Sequence, residues 1–220
     1  MKWTWLGQAG LLIEADDKTI IVDPYLSDSV EKVEPENYRR VPVERKFLDI
    51  QPDILILTHN HLDHADPETL PYYLEGDNSV TILASRNAWG QVRTIGKNNN
   101  CVMFQRHTQW TEGNLRFYAV HAEHSDDSAI GVVVEYQGKN YYIAGDTLYN
   151  TKVLRDLPSD IEVAFLPVNG KGNNMNMDDA LRFADACGAK KTVPVHFGMF
   201  DEIVPKGFCI IPKIYEEIEL

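Results

Sequence analysis

Four strand-like runs in this chain end beside a histidine or an aspartate. Ile54–Leu57 leads through Thr58 to His59, Leu115–His121 leads to His124, Asn140–Ala144 leads to Asp146, and Thr192–Val195 stops at His196. A short run that is apolar throughout, such as Ile54–Leu57, reads as a strand buried on both faces. Sheets built from such strands present their ends along one edge. The imidazoles and carboxylates that follow the runs are therefore expected to meet there.

The other elements fit the same plan. Leu11–Glu14 and Thr19–Val22 read as strands joined by the turn Ala15–Lys18, and the chain before them alternates as a strand does. Val80–Ala84, Gly131–Tyr136 and Val163–Pro167 are further strands, with Gln137–Gly138 at a hairpin turn. Asp66 followed by Pro67 predicts a helix start, Ala88–Ile95 predicts a helix, and Asn176 is expected to cap a helix that stops at Gly188. Strands first, then strands alternating with helices, argue an α/β protein whose sheets are covered by helices.

With 220 residues the chain is long enough for one substantial core and too short for two full catalytic domains, so residues 1–220 are expected to form a single domain. The net charge of -12 and the lack of a long Lys/Arg run argue against nucleic acid. No apolar stretch is long enough to span a bilayer, and the N-terminus shows no signal pattern. Cys101, Cys187 and Cys209 are widely spaced and odd in number, which predicts reduced cysteines and a cytoplasmic protein. The oligomeric state is left open, self-association included.

The densest chemical signal is His59-x-His61-x-Asp63-His64. Imidazole and carboxylate are the ligands that borderline divalent cations accept, so one or two ions are expected, zinc or manganese first and iron next. Alternate residues of an extended segment point the same way, so His59 and His61 can converge on one ion. His121 and His124 compete for a place at the site. An odd spacing puts them on opposite faces of an extended segment, so both cannot reach one ion.

HxHxDH, a distant histidine, GDT and a C-terminal PxH together resemble the metallo-β-lactamase superfamily, and the resemblance covers nearly the whole chain. WLGQAGLLIE…IIVDPYLSD and LPVNGKGNNMNMDDA…VPVHFGMF are similar to its small single-domain hydrolase branch, which includes L-ascorbate-6-phosphate lactonase. The resemblance implies a four-layer αβ/βα sandwich with metals at one edge. It implies that His59, His61 and His124 hold one metal, that Asp63, His64 and His196 hold a second, and that Asp146 bridges. Asp63, Asp146 and His196 are expected to serve the catalysis as well. Asp23 in VDPYL matches a family aspartate behind the metal loop that orients ligands.

The implied reaction is hydrolysis of a small, anionic molecule by a metal-activated water. A phosphorylated sugar lactone is the first expectation. A phosphodiesterase of the same fold and a metal-binding protein without turnover are the alternatives. There is no GxSxG elbow, GxGxxG or P-loop to support a covalent serine route or a nucleotide cofactor. An anionic group is expected to meet the Gly/Asn-rich loop with Asn169 and Lys171, the helix start at Asn176, or Arg39 and Arg40.

Overall fold

A computed structural model describes residues 1–220. Strands β1 (Lys2–Gly7), β2 (Gly10–Ala15) and β3 (Lys18–Val22) form an antiparallel meander. β4 (Ile54–Leu57), β5 (Thr81–Ala84) and β6 (Asn100–Met103) extend that sheet in parallel, each beside the strand before it. In the second sheet β7 (Gln109–Glu112), β8 (Leu115–His121), β9 (Ile130–Tyr136) and β10 (Lys139–Ile143) are antiparallel. β11 (Ile161–Pro167) and β12 (Lys191–Val195) then join in parallel. Each sheet has six strands.

Alternation along each strand makes the layers. Ile54 and Ile56 of β4 face the core between the sheets, where they join Trp3, Trp5, Phe117, Val163 and Phe165. Leu55 and Leu57 point the other way, onto α1 (Leu70–Leu74) and α2 (Arg86–Val92). In β11, Val163 and Phe165 face inward, while Ala164 and Leu166 pack outward with α3 (Thr151–Asp156) and α4 (Met177–Cys187). Both faces of these strands are therefore dry, which is why they read as unbroken apolar runs. The result is the four-layer αβ/βα sandwich.

Two expectations need correction. The helix expected at Asp66 begins at Leu70. Asp66 instead closes a separate turn, its carboxylate accepting from the Glu68 amide at 3.1 Å and from the Thr69 hydroxyl. Pro71 decides this, since inside a longer helix it would lack a backbone donor and clash with the carbonyl four residues back, whereas in the first turn it costs nothing. α2 starts two residues before the expected Ala88 and ends at Val92. β6, β7 and α3 had no expectation attached. β6 and β7 are edge strands of four residues with none buried, too short and too open to carry a periodic signal. α4 matches its expectation: Asn176 accepts from the Asp179 amide at 2.9 Å, and Gly188 ends the helix with φ 67°.

The inter-sheet core makes a direct prediction. Phe165 is fully buried and stacks on Trp3 with ring centroids 4.7 Å apart. Phe165→Ala is expected to lower the free energy of unfolding in urea by about 3–5 kcal/mol. Tyr72→Ala, at a side chain 46% exposed, is expected to change it by less than about 0.5 kcal/mol.

Candidate metal centre

The motif begins where β4 stops. Asp23, at the end of β3, is fully buried and adopts φ 42°. Its amide donates to the Ile56 carbonyl at 3.0 Å. One carboxylate oxygen accepts from the Thr58 amide at 2.8 Å, and the other from the Thr58 hydroxyl at 2.5 Å and from Nδ1 of His64 at 2.9 Å. With its proton committed to Asp23, the Thr58 hydroxyl accepts from Nδ1 of His59 at 3.1 Å. One carboxylate thus fixes the rings of both His59 and His64 with Nδ1 protonated and Nε2 turned toward the centre.

Around those rings the structure gathers two groups of ligand-type atoms, within each of which the atoms lie no more than 4.8 Å apart. His59, His61, His124 and Asp146 form the first, and Asp63, His64 and His196 the second. His124 donates from Nδ1 to the Asn173 carbonyl at 3.3 Å, which turns Nε2 toward Nδ1 of His61, also at 3.3 Å. Asp146 reaches both groups. Its Oδ1 lies 3.1 Å from Nε2 of His196 and 3.3 Å from Nε2 of His64, and its Oδ2 lies 3.9 Å from Nε2 of His59. Gly145 leads into it with φ 60°, and a β-carbon there would press on Thr58 at 3.0 Å, so glycine is needed where the two sheets' loops cross.

The electrostatics differ between the groups. Burial, aided by the neighbouring His64, holds His59 well below the usual imidazole range, and burial likewise lowers His124. Those rings are neutral, which is the form that ligates. Burial opposes charge on His64 and His196 too, but Asp146, Asp63 and, for His64, Asp23 outweigh it. His64 is raised well above its usual value and His196 to about 10. The carboxylates respond in kind: burial works against ionised Asp63 and Asp146, and the facing histidines more than compensate, so both lie below the usual carboxylate range.

The arrangement suits a divalent cation on three structural grounds. Nε2 of His59 is buried with no hydrogen-bond partner. Ring nitrogens of ligand type face one another, Nε2 of His64 and of His196 being 3.1 Å apart. The donors are all imidazole and carboxylate, the set preferred by zinc, manganese and iron.

His121 lies outside both groups; its Nε2 faces Glu123 at 3.2 Å. The parity argument that separated it from His124 does not apply, because β8 ends at His121 and His124 belongs to the loop beyond. Arg39 and Arg40 are also placed away from the centre. The Arg39 guanidinium donates to the carbonyls of Tyr25 and Leu6 and to the Tyr215 hydroxyl, tying the N-terminal sheet to the C-terminal segment. Arg40 pairs with Asp201 at 2.8 Å over the Tyr38 ring. Asn176 is spent on capping α4. Asn169 and Lys171 do line the cavity of about 490 Å³ that opens over the two groups, and Lys171 is its only lysine or arginine.

Gln8 and Thr58 carry no mark in the sequence, and Asn174 stands out there only as the end of the Gly/Asn-rich loop. Gln8 is buried with φ 47°, donating from Nε2 to Asp63 at 3.3 Å while its Oε1 accepts from the Met199 amide at 3.1 Å. Asn174 donates to Oδ2 of Asp146 at 2.8 Å and accepts from the Thr147 amide at 3.1 Å. Polar residues that support ligands have no spacing rule of their own. Only the position of Thr58 directly before the motif hinted at its role.

Fold and site together define a class, and comparison with known proteins agrees. Residues 18–197 match the Beta-lactamase superfamily domain. A metal-dependent hydrolase of Ligilactobacillus salivarius is 32% identical over 213 residues, covering 92% of this chain and 88% of that one. Another from Flavobacterium johnsoniae is 30% identical over 214 residues, covering 92% and 87%. The crystal structure of a possible metal-dependent hydrolase from Veillonella parvula superposes with a TM-score of 0.80 over 100% of this chain and 99% of that one, at 18% identity, a likeness of fold. The chain belongs to the metallo-β-lactamase superfamily. Within it, the chain is a member of the metal-dependent hydrolase family that the Ligilactobacillus protein represents.

Asp23→Asn tests the orienting carboxylate. The amide replaces one acceptor oxygen by a donor facing Thr58 or His64, so a urea titration is expected to show a loss of about 1–3 kcal/mol. Thr58→Val, which keeps the backbone contact and removes only the hydroxyl relay, is expected to lose less.

Proposed function

We propose that this protein hydrolyses a small anionic molecule at a centre of two divalent ions, one held by His59, His61 and His124, the other by Asp63, His64 and His196, with Asp146 shared between them. The observation that carries this reading is the meeting of the two ligand groups at Asp146, on the floor of an open cavity. Bound divalent ions there would supply a water that ionises near neutral pH and would polarise the oxygen under attack.

The chain's own residues do the remaining work. Asp63 lines the cavity with one carboxylate oxygen 3.1 Å from Nε2 of His196, so it is placed to accept a hydrogen bond from a water in the cavity and orient it. Asn174 and Gln8 hold the carboxylates of Asp146 and Asp63 in place. A cavity of about 490 Å³ admits a metabolite-sized substrate. Lys171 extends over the Phe200 ring at 4.1 Å and meets only the exposed Glu202, a pair a substrate anion can displace. A phosphorylated sugar lactone fits this combination of a polarised carbonyl and a single cation at the rim.

A chelator is expected to abolish hydrolysis of a lactone panel, and added zinc or manganese to restore it. His124→Ala is expected to lose bound metal as His59→Ala does, while His121→Ala keeps it; metal analysis of the purified variants gives the answer. Retention by His124→Ala together with loss by His121→Ala would reverse the assignment.

Lys171→Glu is expected to raise KM for an anionic lactone by about tenfold, equivalent to about 1.4 kcal/mol, and to leave an uncharged analogue unchanged. Equal effects on both substrates would place the anion elsewhere. The arginines Arg39 and Arg40, held in their own pairings, are expected to leave the ratio of the two KM values untouched.

A further inference from the structure

Three of the four buried or half-buried histidines in the centre have an evident acceptor behind the ring. His64 has Asp23, His59 has the Thr58 hydroxyl, and His124 has the Asn173 carbonyl. His196 differs. Its Nε2 faces the two carboxylates and His64, so Nε2 is the ligating atom and Nδ1 must carry the proton. Yet two amide nitrogens point at Nδ1: Nε2 of Gln8 at 3.2 Å and Nδ2 of Asn169 at 3.1 Å.

Gln8 is not free to turn. Its oxygen accepts from the Met199 amide and its nitrogen donates to Asp63, and reversal would lose both bonds. Asn169 has no such commitment. Its Oδ1 is buried without a partner, so a half-turn of the amide about its last bond gives that oxygen a donor and gives Nδ1 of His196 an acceptor. Building on the proposed function, we infer that Asn169 is a positioning residue, whose Oδ1 accepts the Nδ1 proton of His196 and so presents Nε2 of that ring to the second ion. Asn169 then serves the ligand rather than the substrate anion. The Asn169–Asn176 bridge joins its backbone to the residue that caps α4, which fixes the reach of the side chain from behind.

The test is zinc binding by competition with a chromophoric chelator, alongside nitrogen NMR of the histidine rings in zinc-loaded protein. Wild type is expected to take up two zinc ions and to show His196 protonated at Nδ1. Asn169→Leu, which keeps the size and removes the acceptor, is expected to weaken one of the two sites by about 10–100-fold and leave the other alone. Asn169→Asp, which retains an acceptor oxygen, is expected to restore the affinity. Two unchanged sites in a folded Asn169→Leu protein would overturn this inference alone, whereas a His196 ring protonated at Nε2 would overturn it together with the place of His196 in the second site. A wild-type protein that bound no zinc would overturn the proposed function and this inference with it. If Asn169→Leu fails to fold, Asn169→Ser, which shortens the side chain out of reach of the ring, is expected to weaken the same site, and full affinity in that variant would overturn the inference.

Discussion

The site depends on one buried carboxylate. Asp23 ends β3, holds the backbone of β4 at Thr58, and accepts the ring proton of His64 and, through the Thr58 hydroxyl, fixes that of His59. A carboxylate with no exposed surface is tolerable only when its lone pairs are filled, and here the residues that fill them are the site itself. Strand pairing, loop conformation and ring tautomer are thus set by the same three hydrogen bonds. Neither His59 nor His64 can turn over without leaving Asp23 or Thr58 short of a partner.

The sandwich brings together what the chain keeps far apart. His59 and Asp63 follow a strand of the first sheet, while Asp146 and His196 follow strands of the second. The core between the sheets holds these ends in a fixed relation, so ligands separated by more than a hundred residues meet within hydrogen-bonding distance. Charge is then balanced locally. The carboxylates raise His64 and His196 and are lowered in return, and a divalent cation entering the centre must displace the protons so held.

Much of this was legible in the sequence, for definite reasons. Runs such as Ile54–Leu57 and Val163–Pro167 announce strands because both of their faces are covered, and the histidine motif stands out because nothing in packing explains it. The edge strands β6 and β7 gave no such signal, since four residues with no buried face are too few to show a period. The arginines of the 39–46 segment suggested an anion clamp by charge alone. Charge says nothing of partners, and Arg39 is occupied by backbone carbonyls and a tyrosine hydroxyl. Gln8 lies 188 residues from the His196 ring it touches, a pairing only the fold creates.

The central claim is a two-ion centre joined through Asp146. Manganese taken up at equilibrium and observed by electron paramagnetic resonance tests it most directly, because a shared carboxylate couples the spins of the ions it joins. The account predicts two manganese ions per chain and the multiline signal of a coupled pair, collapsing to uncoupled ions or a single ion in Asp146→Ala. A chain that binds no manganese, or two ions that each give an isolated six-line spectrum, would contradict it.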